Sequence, residues 1–67
     1  MMNREMMEEI FENVCRENDM AWYEVYDSEM MEEIVDARIM AVAGWTREDL
    51  ENDPEYLAWT CEMGEDL

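Results

Sequence analysis

Acidic and apolar residues alternate along this chain with the period of an α-helix, and this pattern limits the fold more than any other feature. At ~100° per residue, one side of a first helix carries Glu5, Glu8, Glu9 and Glu12. The other side carries Met6, Met7, Ile10, Phe11, Val14 and Cys15. We predict this helix over residues 3–17, with a stop at Asn18 and Asp19.

A second amphipathic segment follows, with helix signals at both ends. Asp27 or Ser28 suits the N-cap, and Gly44 suits the C-cap after a helix that reaches Ala43. One face carries Glu29, Glu32, Glu33 and Asp36; most of the rest is Met30, Met31, Ile34, Val35, Ala37, Ala41 and Val42. Arg38 falls on the apolar side, where we expect its stem to pack and its head to pair with a carboxylate.

Two further start signals lie near the end of the chain. Residues 46–49 resemble a capping box and predict a short helical turn. Asp53 followed by Pro54 predicts a helix that ends near Met63, with Gly64 closing it. Its expected apolar side holds Tyr56, Leu57, Thr60, Cys61 and Met63.

Residues 20–27 are rich in aromatic and β-branched types, which favour strands, although Trp22, Val25 and Tyr26 also have helical spacing. We predict an extended segment here. The predicted fold is one domain over residues 1–67, mostly α, a small bundle of three to four short helices. A small α+β domain is the alternative if residues 20–27 pair with residues 39–43.

The charge of the chain excludes several classes of protein. It has 20 Asp and Glu against 4 Lys and Arg, a net charge of −16 and no histidine, and all four cations are arginines. Direct binding to nucleic acid needs a basic surface and is not expected. Ser28 has no histidine to activate it, and so small a bundle has little room for a catalytic cleft. We expect no enzymatic activity.

We also expect no metal site and no cofactor. Residues 48–53 are acidic, but they lack the glycine of an EF-hand loop, and a di-iron site would need histidine. Cys15 and Cys61 are predicted to be reduced core residues. With no signal peptide and no membrane span visible, the expected location is cytoplasmic.

The apolar residues also lead to expectations about packing. Trp22 and Trp45 are expected in the core, whereas Trp59 falls near Glu55 and Glu62 and is expected at the rim of an interface. Neighbouring methionines point ~100° apart on a helix, so the methionine pairs cannot be wholly buried. Because the charges repel one another, we expect greater stability in salt or mild acid. A homodimer that shares its core remains open.

The net charge far exceeds the ~2–8 that solubility requires of a small domain. We therefore predict a decoy, meaning a protein whose carboxylates imitate DNA phosphates on a basic partner. The predicted contact is Glu5, Glu8, Glu9, Glu12, Glu29, Glu32, Glu33 and Asp36, then the acidic turn of Glu48, Asp49, Glu51 and Asp53. Trp59 or an exposed methionine would supply the apolar anchor.

In size, acidity and lack of catalytic residues the whole chain resembles small phage-encoded inhibitors, among them anti-CRISPR proteins, anti-restriction proteins and uracil-DNA glycosylase inhibitors. The resemblance involves no motif. It implies an inhibitor, in the host cytoplasm, of a CRISPR–Cas effector or restriction nuclease. The alternatives are a helical interaction or regulatory module, antitoxin-like or dimeric, and an acidic halophile domain. A divalent-cation protein is a third hypothesis.

Overall fold

The computed structural model describes residues 2–65, which form five helices and no strand. These are α1 (Arg4–Asn18), α2 (Trp22–Asp27), α3 (Glu29–Ala43), α4 (Arg47–Asn52) and α5 (Pro54–Glu65). The mostly helical prediction is confirmed. The predicted number of three to four helices is too low, because α2 is an additional one.

Side-chain caps begin the helices where the sequence predicted them. The Asn3 side chain accepts from the Met6 N–H at 2.9 Å, and Ser28 accepts from the Met31 N–H at 3.3 Å. Thr46 forms the predicted capping box at the start of α4. Gly44 ends α3 in the left-handed region, with φ 72°. Each cap satisfies a backbone group that the helix leaves unpaired.

The prediction that residues 20–27 are extended is wrong, and the α+β alternative falls with it. Val25 is fully buried, and α2 packs against both α1 and α3. The Ala21 N–H donates to the Glu24 carboxylate at 3.1 Å, which supports the start of α2. Because residues 2–65 contain no strand to pair with, helical spacing prevails over the strand preference of the aromatic residues.

The core receives buried side chains from all five helices. They are Met7, Phe11, Val14, Val25, Met31, Val35, Ile39, Leu50 and Trp59, together with Met2 ahead of α1. Met30 is 69% exposed beside the buried Met31, which confirms that adjacent methionines divide between core and surface. None of the helices in residues 2–65 combines the length and apolar character needed to cross a bilayer.

The predicted apolar side of α5 is correct for Tyr56, Thr60 and Met63, which face inward, but wrong for Leu57 and Cys61. Trp59 is buried, Leu57 is 48% exposed, and Cys61 is exposed as well. Apolar residues occur on both sides of α5, and the larger tryptophan ring takes the inner position, edge-on to Phe11 with centroids 5.8 Å apart. Trp22, expected in the core, is 40% exposed.

The helix α5 also continues through Gly64, which was expected to end it. A Cβ on Gly64 would lie 2.9 Å from the Tyr26 hydroxyl. That hydroxyl donates to the Thr60 carbonyl at 3.3 Å, joining α2 to α5. Gly64 therefore allows α2 and α5 to approach closely at Tyr26 and does not cap α5.

Each arginine is engaged within the fold. Arg4 of α1 pairs with Glu8 and with Glu62 of α5. Arg38 of α3 pairs with Glu17 of α1, which confirms the predicted carboxylate partner. Arg47 of α4 lies 3.4 Å from Asp36 of α3, and Arg16 donates to Asn13. The exposed ion pairs of Arg4 and Arg38 contribute ~0–1 kcal/mol each.

The two cysteines are free thiols in different surroundings. Cys15 is half-buried, whereas Cys61 is exposed, so the prediction of a core position is wrong for Cys61. Burial raises the pKa of the Cys15 thiol, and the nearby Glu12 carboxylate adds to the effect.

Candidate functional site: a groove with an aromatic floor and acidic rims

Two adjoining depressions lie along α5 and share the side chains of Phe11, Trp59 and Met63. We call these three residues the floor and the whole feature the groove. The lobe bordered by α1 has a volume of about 260 Å³, and the lobe bordered by α3 has a volume of about 130 Å³. The groove brings together two acids from each predicted row, Glu8 and Glu12 of α1 with Glu32 and Asp36 of α3.

The α1 lobe is lined, beyond the floor, by Glu8, Glu12 and Trp22. Glu8 is half-exposed and accepts from the Arg4 guanidinium at 3.3 Å. Glu12 is exposed and makes no hydrogen bond or ion pair with residues 2–65. Trp22, at 40% exposure, is the most accessible of the aromatic rings lining the groove. This lobe combines a free carboxylate with an accessible indole.

The α3 lobe is lined by Tyr26, Glu32, Val35, Asp36, Tyr56 and Thr60 in addition to the floor. The Tyr56 hydroxyl donates to Asp36 at 2.9 Å, and Arg47 approaches the other Asp36 oxygen at 3.4 Å. The Asp36 side chain is only 15% exposed. Glu32 is exposed and has no such partner within residues 2–65. Asp36 is therefore a structural acid, and Glu32 is the free carboxylate of this lobe.

Burial and like charge alter the acidity of this lobe. Burial is the main cause that raises the pKa of Asp36, and the bonds from Tyr56 and Arg47 oppose it. The pKa of Glu32 is raised by burial first, then by the charges of Asp36 and Glu29. Burial and the bond to Asp36 also raise the pKa of Tyr56, so its hydroxyl stays protonated as a donor. A cation entering this lobe would relieve the repulsion at Glu32.

Other predicted contact residues lie outside the groove. Glu5 lines a separate depression with Arg4 and Glu55, whose carboxylate accepts from the Arg4 backbone N–H at 2.9 Å. Glu9, Glu29 and Glu33 are exposed on the outer surfaces of α1 and α3. These three extend the acidic surface away from the groove.

The acidic turn of Glu48, Asp49, Glu51 and Asp53 is divided in its roles. Asp49 accepts from the Thr46 N–H at 3.0 Å, and Asp53 accepts from the Tyr56 N–H at 2.8 Å. Both side chains are therefore caps. Glu48 and Glu51 remain exposed. The turn presents fewer free carboxylates than its sequence implied.

The expected positions of two other site residues need correction. Trp59 is 4% exposed and forms the floor, so it is not an exposed rim anchor. Asp36 was expected on an open acidic face, yet it is largely covered by contacts with Tyr56 and Arg47. Both were misjudged because helical periodicity alone does not show which neighbour covers a side chain.

Sequence reasoning missed the groove residues Trp22, Tyr26 and Tyr56. Trp22 was assigned to the core, and the tie from Tyr56 to Asp36 joins residues 20 positions apart. The one available signal was the helical spacing of Trp22 and Tyr26, which the strand-favouring composition of residues 20–27 outweighed. The packing of α2 against α1 and α3 brings Trp22 and Tyr26 to the groove, and Tyr56 reaches it from α5.

Within residues 2–65, no three Asp, Glu or Cys side chains converge as metal ligands would. The groove instead offers free carboxylates beside aromatic faces, a combination suited to binding organic cations. No protein family, characterised protein or solved structure matches the chain.

Proposed function

We propose that this protein is a non-enzymatic inhibitor that occupies the basic nucleic-acid-binding groove of an enzyme and blocks DNA there. A CRISPR–Cas effector or a restriction nuclease is the proposed target. The observation that carries the proposal is the state of the acidic rows. Exposed carboxylates on α1 and α3 form no ion pair within residues 2–65, while the arginines bind other partners. These free carboxylates are Glu5, Glu9, Glu12, Glu29, Glu32 and Glu33.

Unpaired surface charge at this density opposes folding, because the carboxylates of a chain with net charge −16 repel one another. A cationic partner reverses the effect, since each carboxylate that meets a basic side chain loses repulsion and gains attraction. Complementary charge of this kind also speeds encounter and suppresses wrong partners. The charge is thus better explained by association than by solubility alone.

The spacing of the carboxylates also supports DNA imitation. Along a helix, side chains at positions i and i+4 are separated by ~6 Å of rise. Phosphates on one DNA strand advance ~3.4 Å along the axis, with a longer path between them. Glu5 and Glu9 on α1, and Glu29 and Glu33 on α3, have this i, i+4 spacing on exposed surfaces. The DNA-binding surface of the target would present its basic side chains at a spacing comparable to that of the phosphates.

The test is capture of a nuclease at low salt, followed by displacement with competitor DNA. Two double charge reversals with the same change in net charge are compared with the unaltered protein. The first is Glu9→Lys with Glu33→Lys, on the predicted contact rows. The matched control is Asp27→Lys with Glu65→Lys, two exposed carboxylates outside the predicted contact.

We expect DNA to displace the captured nuclease. The Glu9/Glu33 variant should lose at least ~10-fold in affinity, and the control should lose far less. Rim charges act mainly through encounter rate, so the loss should appear largely in the association rate and shrink with added salt. Equal affinities for both variants, or capture that DNA leaves unchanged, would contradict the proposal.

A second candidate function, a dimeric interaction module, is favoured by the outer side of α3. Met30, Ile34, Ala37 and Ala41 are all exposed there and have the alternating four- and three-residue spacing of a coiled-coil seam. We call these four residues the α3 seam. Glu33 and Arg38 lie on opposite flanks of the seam. In a parallel pair of α3 helices, Glu33 of one copy lies opposite Arg38 of the other and would share that guanidinium with Glu17, so the proposed occupant is a second copy.

Sedimentation analysis across a concentration series tests this candidate. Ile34→Glu places a charge in the centre of the α3 seam, and Leu57→Glu makes the same change at an exposed position on α5. A dimer that Ile34→Glu abolishes and Leu57→Glu leaves intact would favour the module. A monomer at every concentration would exclude it.

A further inference from the structure

We propose that the groove binds arginine side chains of a basic protein segment, with one guanidinium group held in each lobe. This inference rests on the proposed function, because the basic surface of the target supplies the arginines. It goes further by naming the side chain that is recognised and the place where it binds. Each lobe combines a cavity, an aromatic lining and a free carboxylate.

In the α1 lobe the partner groups for a cation are Trp22 and Glu12. The indole is 40% exposed and lines the lobe together with the free Glu12 carboxylate. Tryptophan is the aromatic side chain that attracts cations most strongly through its ring face. The volume of about 260 Å³ exceeds that of an engineered cavity of ~150 Å³ that holds benzene. A guanidinium group, with fewer heavy atoms than benzene, fits with room for part of its stem.

In the α3 lobe the partner groups are Glu32 and the rings of Tyr26 and Tyr56. Asp36 has hydrogen-bond partners for both oxygens already, so Glu32 is the carboxylate left to accept from a guest. The volume of about 130 Å³ is close to that of the same benzene-sized cavity. Burial and neighbouring acids raise the pKa of Glu32, and a bound cation offsets the repulsion from those acids.

The chemistry favours arginine over lysine. A guanidinium group is planar, is weakly hydrated compared with an ammonium, and both stacks on rings and donates in a fork to a carboxylate. An ammonium group gives up more hydration on entering an aromatic lobe and cannot stack. The lobes offer rings as well as acids, and a surface built for charge alone would need no rings. A site of this kind should therefore bind a guanidinium group more tightly than an ammonium group.

The floor keeps the two lobes at a fixed separation. Trp59 is held edge-on by Phe11 at 5.8 Å and by Tyr56 at 6.4 Å between ring centroids. Phe11, Trp59 and Met63 line both lobes. One segment carrying two arginines can therefore engage both lobes, and linking the two contacts raises the overall affinity.

The experiment uses two capped synthetic peptides, each with two arginines or two lysines separated by glycines, and follows the indole N–H signals by NMR. Trp22 and Trp59 line the groove, while Trp45 lies outside it and serves as the internal control. The arginine peptide is expected to shift the Trp22 and Trp59 signals and to bind at least ~3-fold more tightly than its lysine twin. The Trp45 signal should not move.

Isosteric variants then test the carboxylates. Glu12→Gln and Glu32→Gln should each weaken binding of the arginine peptide by ~2–5-fold, the range of an exposed ion pair. Glu65→Gln removes the same charge at an exposed position that lines neither lobe and should have no comparable effect. Circular dichroism checks that each variant keeps its helices. Equal binding of both peptides, or binding that Glu12→Gln and Glu32→Gln leave unchanged, overturns the inference.

The two proposals fail in different ways. If the arginine peptide binds in the groove but no captured nuclease is displaced by DNA, the inhibitor proposal falls and arginine recognition stands. If charge reversal at Glu9 and Glu33 abolishes nuclease binding while the peptide leaves Trp22 and Trp59 unmoved, the arginine site falls and the inhibitor proposal stands.

Discussion

Replacing Tyr56 by phenylalanine removes one oxygen atom from a contact that joins α5 to α3. The lost hydroxyl donates to Asp36 at 2.9 Å. The phenylalanine ring keeps the packing against Trp59, whose centroid lies 6.4 Å from that of Tyr56. The substitution therefore isolates the hydrogen bond from the packing of the ring.

The size of the effect follows from the burial of the acceptor. Asp36 is 15% exposed, so solvent replaces the lost donor poorly, although Arg47 remains at 3.4 Å. Hydrogen bonds to charged groups contribute ~1.5–3 kcal/mol. We expect Tyr56→Phe to lower the free energy of unfolding by ~2 kcal/mol at pH 7. For a domain of this size that corresponds to a fall of ~8–16 °C in melting temperature.

The effect should depend on pH in a defined direction. Loss of the hydroxyl removes a bond that favours the charged form of Asp36, whose pKa burial has already raised. Below the ordinary aspartate value of 3.8, the carboxyl is protonated in both the folded and the unfolded chain. The lost bond is then one between neutral groups, and the difference between the two proteins shrinks to ~1 kcal/mol.

The assay is urea unfolding of both proteins at pH 7 and below pH 3.8. The matched control is Tyr23→Phe, since Tyr23 is 51% exposed and its hydroxyl makes no hydrogen bond within residues 2–65. The control should change stability by less than ~0.5 kcal/mol. If Tyr56→Phe costs no more than Tyr23→Phe at pH 7, the contact with Asp36 does not stabilise the fold as we argue.

Two further predictions concern charge and close packing. Lowering the pH from 7 should raise the melting temperature. Because the pKa values of Glu32 and Asp36 are raised on folding, the folded chain takes up protons first, and the gain is complete below their ordinary values of 4.5 and 3.8. The bond from Arg38 lowers the pKa of Glu17 and acts in the opposite direction, but this pair is exposed and screened by solvent. Calorimetry showing a steady fall on acidification would contradict this. Alanine in place of glycine within a helix usually raises the free energy of unfolding by ~1 kcal/mol. Gly64→Ala should not give this gain, because the new Cβ would lie 2.9 Å from the Tyr26 hydroxyl. A full gain, measured by thermal unfolding, would show that Tyr26 moves without cost.

Helix starts and stops could be read from the sequence because they depend on neighbouring residues. Ser28 and Thr46 accept from backbone N–H groups three residues ahead, and Gly44 adopts the left-handed conformation that ends α3. Such contacts need no knowledge of the rest of the fold. The amphipathic face of α1 was also predictable from the sequence, since Met7, Phe11 and Val14 are buried as the helical period indicated.

Features that depend on distant partners could not be read in the same way. In α2 and α5 apolar residues occur on several sides, so periodicity alone did not separate the exposed Trp22 from the buried Trp59. The cover over Asp36 comes from Tyr56 on another helix and Arg47 on a third. Composition could identify the acids of the groove but not the aromatic rings between them.

The packing of Trp59 against Phe11 and Tyr56 has a consequence for how a guest would be held. Folding of the chain already fixes those rings. Binding of a ligand therefore carries no further entropy cost for ordering them. A rigid receptor of this kind differs from loops that must order around their guest. Affinity differences among guests should therefore show as differences in residence time.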